Sequence, residues 1–194
     1  MPGKMIAIFL LASALVAAGC SVQQKTANGN DDVKIETPLG GMKIKTNDAV
    51  VVTDIGLSVY PGATVVKKDK DNGAADIDMS FGDFHLRVKA VSYRTPDSPD
   101  KVKAFYRKEL AHFGDVIECK GNRPVGNPSK TSEGLTCDND KDNHVTVSDV
   151  PHGDTELKAG GKIHQHIVAV EKESEGTKFG LVALDLPKGK RESN

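Results

Sequence analysis

His164 and His166, separated by Gln165, are residues whose type and spacing could do chemistry. Residues i and i+2 of a strand share a face, so the two imidazoles could hold one zinc or copper ion. A third ligand would come from His144, His152 or an aspartate. The competing reading is a solvated strand face carrying ordinary polar side chains. D-N-D-K-D-N, Asp138 to Asn143, alternates acids as calcium loops do, with Asp138, Asp140 and Asp142 at positions 1, 3 and 5 and Asp149 at position 12. Asn143 stands where such loops carry Gly, a position Asn can occupy because it tolerates the left-handed conformation. An aspartate at position 12 is shorter than the usual bidentate Glu, and strands are expected on both sides, so a polar turn beside Cys137 is the preferred reading. No G-x-S-x-G elbow, P-loop, H-E-x-x-H or C-x-x-C occurs, and Ser80 and Ser92 fall in predicted strands with no base assignable to them. Tyr93-Arg94 and Phe105-Tyr106-Arg107 could make an aromatic and cationic contact for a peptide or glycan, although helical spacing assigns Phe105 and Tyr106 to a core. With those motifs missing, the expected role is a non-catalytic binding or scaffold module that needs no cofactor. A metal protein using His164 and His166 is the first alternative, and a hydrolase of unrecognised type the second.

The elements that must position these residues are mostly strands. V-K-I-E-T-P-L-G-G-M-K-I-K-T alternates on both sides of P-L-G-G, placing Val33, Ile35, Met42 and Ile44 on one face of a hairpin. Pro61-Gly62 has the chemistry of a type II turn. Strand patterns follow at Thr64–Lys68, Asp76–Phe81 and Phe84–Tyr93, which read as a three-stranded meander. The strongest helix signal is Ser98–Phe113, with Ser98 to cap, Pro99 at N1, Asp100 at the positive end of the dipole and Gly114 to terminate. Val102, Phe105, Tyr106, Leu110 and Phe113 make its apolar stripe. Further strands are expected at Val116–Cys119, Gly134–Cys137, Val145–Val147, Ile163–Glu171 and Lys178–Leu186, the last two as a hairpin around Glu173 to Gly176. Strands, one helix and strands again predict an α+β fold: an antiparallel sheet, meander plus C-terminal hairpins, with one amphipathic helix packed on one face.

Residues 1–19 have the pattern of a signal peptide: Lys4, then an uncharged apolar run from Met5 to Ala18, shorter than the roughly 20 residues a spanning helix needs. Ala17-Ala18-Gly19-Cys20 resembles the bacterial lipobox, with Ala17 where Leu is most usual. The resemblance implies acyl chains on Cys20 at the start of the mature protein, held stably because each buried methylene adds about 0.8 kcal/mol. Ser21, in place of Asp after the cysteine, implies the outer membrane of a Gram-negative envelope. Polar residues 20–32 then read as the lipidated cysteine and a flexible tether, 33–187 as one periplasmic or surface domain, and 188–194 as a polar tail. Without residues 1–19, whose one charged side chain is Lys4, 25 Lys and Arg stand against 27 Asp and Glu, a formal charge of −2. There is no basic excess for nucleic acid, and the expected partners are the membrane and an envelope protein or glycan. Cys119 and Cys137, left as a pair in an oxidising compartment, are expected to form a disulfide.

Y-P-G-A at Tyr60–Ala63, followed by V-x-x-F-Y-x-x-x-L at Val102–Leu110, resembles a set of small bacterial secreted proteins and lipoproteins, many from soil bacteria such as acidobacteria. The likeness would span roughly residues 55–186 by the order of strand, turn and helix signals. It implies a fold and an envelope location, and carries over no catalytic residue.

Overall fold

The computed structural model describes residues 20–27, 30–45, 54–66, 74–137 and 154–187. The apolar segment 1–19, the acidic loop from Asp138 to Asp149, the expected strand Val145–Val147, His144, His152 and the 188–194 tail lie outside the described residues. Within them one sheet contains β1 (Ser21–Ala27), β2 (Asn30–Thr37), β3 (Gly40–Lys45), β4 (Thr64–Val65), β5 (Ala74–Phe81), β6 (Phe84–Thr95), β7 (Ile117–Lys120), β8 (Arg123–Pro124), β9 (Thr155–Gly160), β10 (His164–Glu173) and β11 (Gly176–Asp185). The order across it is β1-β2-β3-β5-β6-β11-β10-β9-β7-β8, with β4 beside the end of β6 and neighbours antiparallel throughout. Helix α1 (Pro99–Leu110) runs into a 3-10 turn, Ala111–Phe113. The fold is α+β with a single helix on the sheet, as the sequence predicts.

Local chemistry explains the helix. Ser98 has the extended dihedrals of an N-cap, its carbonyl accepts from the N–H groups of Lys101 and Val102, and Pro99 and Asp100 follow. The Ser98 hydroxyl makes no capping bond, so the helix start relies on Pro99 and the acidic first turn. Val102, Tyr106 and Leu110, four residues apart, are buried against β9, β10 and β11. They share one core with Val91, Tyr93, Leu157, Ala159, Val168, Val170, Phe179 and Leu181 from the sheet. The alternate residues Val88, Ala90 and Val182, with Ile77, Leu86, Ile167 and Leu184, form a second apolar cluster on the other face.

The two short motifs, Y-P-G-A and the F-Y helix stripe, are one contact. Ala63 N–H donates to the Tyr60 carbonyl at 3.0 Å, and Gly62 supplies the positive φ of 75° that the turn requires. Tyr60 N–H donates to the Tyr106 hydroxyl at 3.1 Å, which donates in turn to the Ser58 carbonyl at 3.2 Å. Burial holds the Tyr106 phenol well above its ordinary pKa, so it stays a donor. The Tyr60 hydroxyl reaches Asp97 at 2.9 Å, and the Tyr60 ring meets Phe105 edge to face.

Several local expectations are corrected. Residues Ser21–Ala27, expected within the tether, form β1, paired along its length with β2. Ser21, Gln23 and Lys25 oppose Glu36, Lys34 and Asp32, so the strand extends a polar row and needs no apolar periodicity. The meander is not formed: β4 and β5 both lie along β6, because β6 is twelve residues long and β5 spans only its first part. β3 takes the other edge of β5. Gly134–Cys137 is a loop with a single bridge, Lys130 to Thr136; Gly134 has a φ of 86°, and Thr131 draws in Gly134 and Leu135 through hydrogen bonds. β9 has no predicted counterpart. Its charged Glu156 and Lys158 pair with each other at 3.0 Å while Leu157 and Ala159 enter the core.

Candidate functional site

The helix covers only part of its face, and beyond it the strand registry aligns polar side chains in two rows. One runs Gln23, Lys34, Lys43, Asp78, Arg87, Asp185 and His164 across six strand pairs. The next runs Lys25, Asp32, Lys45, Asp76, Lys89, Ala183 and His166. Both rows carry the parity of Val91 and Tyr93, so they lie on the helix-bearing face. Cross-strand neighbours of opposite sign stabilise the registry by a few tenths of a kcal/mol to about 1 each.

At the centre of the rows, Lys43, Lys45, Asp76, Asp78 and Arg87 line a hollow of about 60 Å³. Three cations face two carboxylates there. Asp76 is only 7% exposed, and its Oδ2 lies 3.8 Å from the buried Lys89 ammonium, which is also paired with Asp54. The hydrogen bond from Lys89 and its charge hold the Asp54 carboxyl below the usual carboxylate range. Asp76 Oδ1 and Arg87 Nε are buried without a hydrogen-bond partner, although they face each other at 3.9 Å. That separation is too long for a hydrogen bond; an oxygen offset from the line joining them, at about 2.8 Å from each, would accept from Nε–H and donate to Oδ1. Asp78 Oδ2 stands 4.0 Å from the same Nε. A buried polar atom left unsatisfied costs about 1–3 kcal/mol, so an acceptor and a donor stranded together are what a ligand hydroxyl would relieve.

His164 and His166 share a face, as their spacing predicts, and end the two rows with different surroundings. His164 Nδ1 contacts Asp185 Oδ1 at 2.7 Å on the exposed side. His166 stacks on Phe113 with ring centroids 3.6 Å apart and hydrogen-bonds the Ile55 backbone. Burial lowers its pKa, partly offset by Asp185 and the Ile55 bond. Among the described residues no group of three His, Cys, Asp or Glu side chains is arranged to hold a metal ion. The proposed third ligands His144 and His152, and the calcium loop, lie outside the described residues.

The other sequence candidates separate. Cys119 and Cys137 form the expected disulfide, buried with Ile117 and Leu135. Cys20 is exposed immediately before β1. Tyr93 and Tyr106 are buried, Arg94 forks onto Glu173 at 2.8 and 2.9 Å, and Arg107 pairs with Glu118, so no aromatic and cationic patch assembles. Ser92 is buried in β6 and Ser80 faces β3. Searches against protein-family models, curated proteins and solved structures find no match. The hollow itself had a signal in the sequence: K-x-K at 43–45, D-x-D at 76–78 and R-x-K at 87–89 each put two charges on one strand face.

Proposed function

We propose that this chain is a lipid-anchored module of the bacterial cell envelope, held by Cys20, that binds a hydroxyl-rich envelope glycan without catalysing its turnover. The observation that carries the binding reading is the unpartnered pair Asp76 Oδ1 and Arg87 Nε in a hollow rimmed by Lys43 and Lys45. A sugar hydroxyl is both donor and acceptor, and it can satisfy both atoms at once. The flanking lysines, which line the same hollow, favour a glycan that carries carboxylates as well as hydroxyls. The lipobox resemblance and the paired cysteines support the envelope location.

The test uses purified cell-wall sacculi as the probe. The protein should sediment with them, and Arg87→Gln and Asp76→Asn should each weaken binding by about tenfold or more, equal to the roughly 1.4 kcal/mol of one well-placed hydrogen bond. Cys20→Ser should release the protein from the membrane fraction, lose the acyl mass and leave sacculus binding intact. Sedimentation indifferent to Arg87 and Asp76, or release of glycan fragments by the wild type, would overturn the reading.

A further inference from the structure

One end of the sheet is apolar where solvent-facing turns ordinarily are not. Leu39, at the tip of the β2–β3 turn, is 82% exposed; Phe81 and Phe84, which pair across the β5–β6 turn, are 44% and 40% exposed; Val22 is 68% exposed. The two turns are tied together, because Gly82 N–H donates to the Leu39 carbonyl at 3.3 Å. Gly40 permits this approach: a Cβ there would lie 2.0 Å from the Ser80 carbonyl and 2.8 Å from the Phe81 ring. Phe81, Phe84 and Val22 have the parity of Leu86 and Val88, so the patch is the outer rim of the face opposite the helix.

Cys20, the point of attachment, lies at the same end. Ser21 pairs with Glu36, next to the turn that carries Leu39, and Cys20 directly precedes it. From β1 to β6 is four strand spacings, about 19 Å, so Cys20, Leu39, Phe81 and Phe84 lie along one edge of molecular width. With β1 built into the sheet, no tether separates that edge from the point of attachment.

We infer that this edge is a membrane-contacting surface: Leu39, Phe81, Phe84 and Val22 enter the lipid interface beside the acyl chains of Cys20 and fix the sheet upright on the bilayer. Large apolar side chains at exposed tips bind at headgroup depth, and a second contact converts an anchor on a swivel into an oriented one. Asp83, at the tip between the phenylalanines, keeps the hairpin at that depth. The inference rests on the lipid-anchored reading, and the experiment separates the two.

The chain contains no Trp, so Leu39→Trp or Phe84→Trp introduces a single reporter. Each full-length variant, with Val59→Trp as an exposed control, is purified from membranes, its acyl content read by intact mass, and reconstituted into phosphatidylcholine vesicles with and without brominated acyl chains. The tip reporters should shift to the blue and lose emission to the bromines, while the reporter at position 59 does neither. Acylated protein with unquenched tips overturns the membrane-contacting edge and leaves the anchor standing. Protein without acyl mass overturns the anchor, and the quenching of the tips in those same vesicles then decides the edge by itself.

Discussion

Tyr106→Phe removes one oxygen from the centre of the protein, and its cost can be worked from two contacts. The Tyr106 hydroxyl accepts the Tyr60 N–H and donates to the Ser58 carbonyl, and the Tyr106 ring is completely buried. The substitution keeps the ring in place and strands the Tyr60 N–H, an unsatisfied buried donor worth about 1–3 kcal/mol. The Ser58 carbonyl is only part-buried and recovers some of its loss from solvent. The net destabilisation is about 2 kcal/mol, which for a chain of this size lowers Tm by roughly 4–8 °C. Tyr60→Phe removes only a part-buried bond to Asp97 and should cost about 1 kcal/mol. Urea unfolding followed by circular dichroism measures both, with an unchanged slope indicating that the same surface is exposed on unfolding. A Tyr106→Phe variant within 0.5 kcal/mol of wild type, or less affected than Tyr60→Phe, would refute the claim that this hydroxyl joins the Y-P-G-A turn to the helix.

Replacing Cys119 and Cys137 together by Ala should lower stability by about 3 kcal/mol in the chain-entropy model, read as a shift in the urea midpoint. Gly176→Ala should destabilise by at least about 2 kcal/mol, since the position has a φ of 119° and a Cβ there would meet the Thr95 carbonyl at 2.2 Å; an expression level and Tm equal to wild type would contradict it. Burial depresses the pKa of His166, so near neutral pH and below it the unfolded chain takes up a proton that the folded one resists. Stability should therefore fall as pH is lowered from about 7 through the unfolded histidine value near 6.5 and flatten below the folded pKa, and His166→Gln should lose that slope in a comparison of urea midpoints across pH. The depressed carboxyls of Asp54, Asp97 and Asp115 act in a separate, more acidic window, where their stabilisation is lost as protonation overtakes their ion pairs and hydrogen bonds.

Much of this fold is legible in the sequence wherever one face of an element is apolar. The β2–β3 hairpin shows Val33, Ile35, Met42 and Ile44 at period two, and α1 shows Val102, Tyr106 and Leu110 at spacing four with Pro99 and Asp100 at its start. β1 escapes the same reading because it has no apolar face, and pairing with β2 holds it; β9 shows only two apolar residues, Leu157 and Ala159, between charged ones, too short a pattern to mark a strand, and pairing with β7 and β10 places it. The position of β4 is tertiary, since it depends on β6 outrunning β5. The charged rows are half visible: Lys43 and Lys45, Asp76 and Asp78, and Arg87 and Lys89 each mark one polar strand face. Registry alone brings the three pairs side by side, and registry depends on strand order. The histidine pair is the converse case. Its shared face follows from the i, i+2 spacing, whereas Asp185 and Phe113, which give the two rings different environments, come from distant segments.

The most direct measurement is the Nε–H resonance of Arg87 in isotope-labelled protein titrated with soluble peptidoglycan strands. As glycan is added this proton should shift downfield and exchange more slowly with solvent, together with the backbone amides of Lys43, Lys45 and Asp76, and Asp76→Asn should abolish the change. An Arg87 Nε–H unmoved at saturating glycan, in a protein whose remaining spectrum is folded and intact, would contradict it.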